Sequence, residues 1–112
     1  MTGSLKHGVM GVGLGLGLGV ALQYGAGAAR KRLMGTIGDQ QVLGTVVKAN
    51  DWNQYTVIAR GGTFIHIVNG QLMAVMIDDD PGSSNNQPGQ FGIEIEATTK
   101  VSVRNIWLKK LN

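Results

Sequence analysis

From Val12 to Val20 every second residue is glycine: Val12, Leu14, Leu16, Leu18 and Val20 alternate with Gly13, Gly15, Gly17 and Gly19. A period of two is that of a β-strand, here with leucine and valine on one face and bare backbone on the other. A face without Cβ atoms lets a second sheet, a helix or a ligand come very close, at the entropic cost glycine carries. The stretch from Gly8 to Ala29 bears no formal charge. As a strand it is therefore an edge hazard that burial between subunits would remove. Two other structures suit the segment. Lys6 and His7, the apolar stretch Val9–Leu22 and the small triplet Ala26-Gly27-Ala28 have the layout of a signal or membrane segment. Arg30, Lys31 and Arg32 would be its basic flank, and Gly11, Gly15 and Gly19, four apart, a helix-packing face. Its apolar core is short beside the roughly 20 residues of a span. A flexible glycine-rich tail is the third, opposed by the regular leucines. Nucleotide binding is excluded: there is no GxxxxGK[ST], and no strand precedes Gly11-Val12-Gly13-Leu14-Gly15.

The glycines are a local anomaly. Of the 18 in this 112-residue chain, 11 fall in the first 38 positions. The absence of cysteine rules out disulfide scaffolds, thiol nucleophiles and thiolate-held zinc or iron–sulfur centres. The net charge of +3 comes from the first half, and Arg30–Arg32 is its one dense basic run. A nucleic-acid binder carries a wider basic surface with aromatics for stacking, so no nucleic-acid partner is expected.

Beyond Asn50 the pattern becomes that of an antiparallel sheet. Residues 33–50 are transitional: Asp39–Gln41 reads as a turn, and Val42–Lys48 suits a strand or one helical turn equally. Gln54–Arg60 alternates, Gly61-Gly62 supplies a reversal, Thr63–Val68 is a second strand, Asn69-Gly70 is a strong hairpin signal, and Gln71–Ile77 is a third strand. Together they predict a β-meander. Asp78 to Gln90, with three acids, two prolines and several small polar residues, is a surface loop. Phe91–Ala97 reads as a half-buried strand with Phe91, Ile93 and Ile95 on one face. In the last strand, Lys100–Leu108, the apolar phase shifts from Val101 and Val103 to Ile106 and Leu108, which predicts a bulge near Arg104-Asn105. Such a sheet needs a second layer from this chain or from a partner.

The run Asp51-Trp52-Asn53-Gln54-Tyr55-Thr56-Val57-Ile58-Ala59-Arg60-Gly61 resembles the signature of the 3-keto-disaccharide hydrolase domain family. The likeness continues through Ile65-His66-Ile67-Val68-Asn69-Gly70, Asp78-Asp79-Asp80-Pro81, Gly89-Gln90-Phe91-Gly92-Ile93 and Val103-Arg104-Asn105-Ile106-Trp107-Leu108. Arg32-Leu33-Met34-Gly35-Thr36-Ile37-Gly38 resembles the segment leading into that core, so the match spans about residues 30–111. It implies an all-β fold, an antiparallel, concanavalin-like β-sandwich or jelly roll, of which this chain has the C-terminal half. The chain then divides into residues 1–29, a glycine-rich N-terminal strand or helix, and 30–112, a truncated sandwich. The chain departs from the family where Glu96 stands in place of a histidine. The resemblance also implies a carbohydrate partner and an extracellular or periplasmic location; membrane association through residues 8–29 is the alternative. The half-sized domain and the alternating segment further suggest self-association into intersubunit sheet.

The implied chemistry is general-base-assisted cleavage of a 3-keto-glycoside, whose ketone acidifies the neighbouring C–H. Candidate catalytic residues are Glu94, Glu96 and His66. The two glutamates share one strand face with Cα atoms about 6.5–7 Å apart, close to the spacing of a glycosidase carboxylate pair; alternatively they are a solvated face and His66 a structural histidine. Trp107, Arg104 and Asn69 are candidate substrate-binding groups, although Asn69 also serves its hairpin and Arg104 suits a salt bridge to Glu94. Asp78 and Asp80 suit a calcium site only with loop carbonyls, because their spacing is not that of an EF-hand; otherwise they close a strand. No other cofactor is expected. A non-catalytic carbohydrate-binding module and a self-assembling structural protein are the alternatives to the enzyme.

Overall fold

A computed structural model of the chain describes residues 2–6, 19–24, 31–81, 88–89, 92–93, 95, 97–98 and 100–111. Its elements in chain order are β1 (Thr2–Lys6), β2 (Val20–Tyr24), β3 (Lys31–Thr36), a short helix α1 (Gln40–Gly44), β4 (Trp52–Arg60), β5 (Thr63–Val68), β6 (Gln71–Asp78) and β7 (Ser102–Trp107). All seven strands belong to one sheet in the order β3-β2-β6-β5-β4-β1-β7.

The meander forms as its turn residues dictate. Arg60 pairs with Thr63 across Gly61-Gly62, and only the first of these glycines has positive φ, +56°, as a type II′ turn requires. Val68 pairs with Gln71 across Asn69-Gly70, where both residues have positive φ, 50° and 80°, as in a type I′ turn. β6 then bulges: Ile67 faces Leu72 while His66 faces Ala74. The extra residue lets Met73 and Ala74, neighbours in sequence, both be buried. The bulge expected near Arg104-Asn105 is present. Thr2 faces Trp107 and Ser4 faces Arg104, so β7 holds one residue more than β1 over that span, and Asn105 takes φ 55°.

One sheet face carries the core. Alternation puts Asn53, Tyr55, Val57 and Ala59 of β4 on that face, beside Phe64, His66 and Val68 of β5. α1 and the turn after it cover it, with Leu43 packed on Val68, Met73 and Ala74, and Val46, Val47 and Tyr55 around them. Asp39 caps the helix, its Oδ1 accepting from the backbone N–H groups of Gln41 and Val42 at 2.8 and 3.1 Å. The opposite face holds Ile58, Ile65, Ile67, Leu72, Val75 and Ile77, and among the described residues no second sheet lies over it.

Several expectations need correction. The sheet is mixed and not wholly antiparallel, because β2 runs parallel to β6, with Ala21 opposite Val75 and Tyr24 opposite Asp78. Among the described residues the fold is all-β apart from α1, and the strands make a single layer. The strand expected at Phe91–Ala97 is not seen: Gly92, Ile93, Ile95 and Ala97 lie in no strand, and the rest of it falls outside the described residues. Alternation there specified two faces but no neighbour to pair with. Residues 33–38, which show no clear period, supply most of β3. The Gly–Leu alternation lies outside the described residues except for Gly19 and Val20 at the entry to β2.

Candidate functional site

The residues singled out by sequence fall into three places. The first is on the core face. Tyr55 and His66 stand on adjacent strands, Tyr55 opposite Val68 and His66 opposite Val57, which makes them diagonal neighbours. The Tyr55 hydroxyl and Nδ1 of His66 are 2.6 Å apart. Their rings meet edge to face, with centroids 5.8 Å apart and planes at 85°. Both side chains are half-buried. Burial pushes the Tyr55 hydroxyl up to about 12 and pulls the His66 imidazole below its ordinary value, because each group is costlier to charge out of water. Near neutral pH both are therefore uncharged.

The second place is the opposite face, at the β4-β1-β7 end of the sheet. The Arg104 guanidinium lies 4.0 Å from the centroid of the Trp52 ring, a stacking worth about 0.5–1 kcal/mol where exposed. Trp107 pairs with Thr2, which pairs with Thr56 of β4, so its register puts it on the face of Trp52 and Arg104. It is 71% exposed. Trp52 is half-buried and is the first residue of β4. The structure thus puts Arg104 and Trp107 on one face of the sheet and His66 on the other.

The third place is structural in its contacts. Asn53, 3% exposed, accepts from the Lys48 N–H at 2.8 Å and donates to the Lys48 and Asp51 carbonyls at 2.9 and 3.2 Å. Asn69 donates from Nδ2 to the Asn53 Oδ1 and to the Val46 carbonyl, at 2.8 and 2.9 Å. Its Oδ1 accepts from the Gln54 N–H at 2.9 Å. The two amides tie the loop after α1 to the tip of the β5–β6 hairpin. At the end of β6, Asp78 is buried and its Oδ1 accepts from the Asp80 N–H at 3.0 Å. The Asp79 carboxylate accepts from the Gln23 amide, and Gln23 in turn accepts from Arg32 at 2.7 Å. Among the described residues no group of three or more His, Cys, Asp or Glu converges as a metal would require. Glu94 and Glu96 lie outside the described residues. Among the described residues no helix is long and apolar enough to cross a membrane.

Two residues of these sites went unmarked in the sequence as site candidates, Tyr55 and Asn53. Tyr55 was open to detection: a two-residue turn at Gly61-Gly62 fixes the register, and counting back from it sets Tyr55 diagonal to His66. Asn53 gave no such signal, since most of its partners are backbone groups of a loop whose path no local pattern describes.

The family described as the 3-keto-alpha-glucoside-1,2-lyase-like domain matches this chain over residues 17–109. The match begins ahead of the motifs legible by eye and takes in β2. No curated protein and no solved structure matches the chain.

Proposed function

Because the chain belongs to the 3-keto-alpha-glucoside-1,2-lyase-like domain family, we propose that it is a sugar-active domain that cleaves the glycosidic linkage of 3-keto-glycosides. The family match over residues 17–109 carries this proposal. A ketone at C3 acidifies the hydrogen on C2. A general base takes that proton, the C–H electron pair becomes a C1–C2 double bond, and the aglycone oxygen leaves with the C1–O pair. Water then adds across the double bond. The base must titrate near working pH, and the ketone oxygen, negative in the enolate, needs a hydrogen-bond donor. His66, Glu94 and Glu96 are the candidates for these tasks; Trp107, Arg104 and Asn69 are the candidates for holding sugar; Asp78 and Asp80 would serve a calcium ion only together with loop carbonyls. The same proposal assigns the domain to the periplasm or the extracellular space, and its family fold to a concanavalin-like sandwich.

Release of a chromophoric phenol from an aryl 3-keto-glucoside tests it. Turnover by the native chain, reduced at least ~100-fold in Glu96→Gln, supports catalysis with Glu96 as a participant. No release by the native chain, beside a positive control, overturns the enzyme.

A second, non-catalytic function is favoured by one observation: an exposed Trp107 on the sheet face that also carries the Arg104–Trp52 stack, aromatic and cationic groups of the kind on which a sugar ring rests. Oligosaccharide titration followed by tryptophan fluorescence reads it, and Trp107→Ala abolishes the signal if these groups bind. Self-association belongs to the same set of proposals. β3 and β7 are the edge strands of the sheet, and light scattering reports it as a mass that is a multiple of 11.8 kDa.

A further inference from the structure

The hydroxyl of Tyr55 has one proton to place and, among the described residues, one partner, Nδ1 of His66 at 2.6 Å. A neutral imidazole also has a single N–H, on Nδ1 or on Nε2. Were it on Nδ1, that N–H would donate to the phenol oxygen and the phenolic proton would be left without an acceptor in a half-buried site. Leaving a desolvated donor unmade is the more expensive arrangement. With the phenol donating to a bare Nδ1, the phenolic proton has its acceptor and the imidazole proton sits on Nε2, the ring nitrogen outside the Tyr55 contact. Phenol is also the stronger acid of the two neutral groups, hence the better donor. The near-perpendicular ring contact holds both orientations.

We propose that Tyr55 is a positioning residue that fixes His66 as the neutral Nε2–H tautomer, so that His66 serves the reaction as a hydrogen-bond donor and not as its base. A nitrogen that already bears its proton has no lone pair in the ring plane with which to abstract another. What Nε2–H offers is a donor to an oxygen that gains negative charge, and the substrate oxygen that does so is the C3 ketone as it becomes an enolate. Proton abstraction then falls to a carboxylate, for which Glu94 and Glu96 are the candidates. The donor role rests on the activity proposed above; the tautomer does not.

The full chain labelled with 15N-histidine decides the tautomer directly, with His66→Gln distinguishing the His66 signals from those of His7. The expected spectrum has a protonated Nε2 and an unprotonated Nδ1 for His66 at neutral and mildly alkaline pH. Tyr55→Phe, with its fold checked by circular dichroism, converts it to a mixture of tautomers. A native spectrum with the proton on Nδ1 overturns the proposal, whatever Tyr55→Phe does. The donor role is read by turnover of an aryl 3-keto-glucoside. His66→Gln, which keeps an N–H donor, is expected within ~10-fold of the native rate, and His66→Ala to lose ~10²–10³-fold. Equal loss in both overturns the donor role. No turnover by the native chain overturns the proposed activity and the donor role together, while the NMR spectrum still decides whether Tyr55 fixes the tautomer.

Discussion

At the scale of single residues, the amides of Asn53 and Asn69 join the loop after α1, the start of β4 and the β5–β6 hairpin. Asn53 satisfies both backbone groups of Lys48, the Asp51 carbonyl and one of Asn69's amide hydrogens, so truncating it strands four partners in a partly buried place. Asn53→Ala should cost about 2–3 kcal/mol, read as a lower urea midpoint at an unchanged slope. Asn69→Gly retains the positive φ the turn needs while deleting the amide. It should cost about 1–2 kcal/mol, separating hydrogen bonding from backbone strain. A full effect of Asn53→Ala on stability with none on sugar binding would show that this pair braces the sheet and does nothing else.

Elements differ in how far their positions follow from their own residues. The β4–β6 meander, both of its turns and the β7 bulge were legible because each rests on residues close together in sequence: Gly61-Gly62, Asn69-Gly70, and the phase change between Val103 and Ile106. β1 was not, since Thr2–Lys6 is too short to show a period and its partners lie in β4 and β7. The parallel pairing of β2 with β6 was equally hidden, because it is a contact between distant segments. In the candidate site, His66 was legible as a polar break in an apolar strand, whereas its partner required the register to be known. Gly19 shows what that distant contact demands. Its N–H donates to the Met73 carbonyl at 2.7 Å and its carbonyl accepts from the Ile37 N–H at 2.6 Å. A Cβ there would lie 2.9 Å from the Gly38 carbonyl oxygen, on a backbone with φ +80°. Gly19→Ala should therefore cost about 1–3 kcal/mol. Gly44→Ala, with open space around it and helical backbone, should be neutral or stabilising by about 0.5 kcal/mol. Thermal denaturation of the two variants side by side checks both.

For the molecule as a whole, Tyr55 and His66 set two limits on pH stability. His66 has a folded-state value below the ordinary 6.5, so the unfolded chain takes up a proton first. Its contribution is whole above pH 6.5 and is lost as pH falls from there towards the folded value. Tyr55 rises from 10.0 to about 12, so the unfolded chain gives up a proton first, and stability is lost as pH rises from 10 towards 12. Melting temperature against pH should fall off at both ends. His66→Gln should flatten the acid limb and Tyr55→Phe the alkaline one. The order of strands carries a consequence for how the molecule is made. β1 lies between β4 and β7, with Thr2 opposite both Thr56 and Trp107. The β4–β6 meander closes through residues near one another in sequence, whereas β1 reaches β4 only across a long sequence separation, a slow kind of contact. Among the described residues β7 pairs with β1 alone, so β1 acts as a splice, and the strand beyond it has no edge to join until β1 is in place.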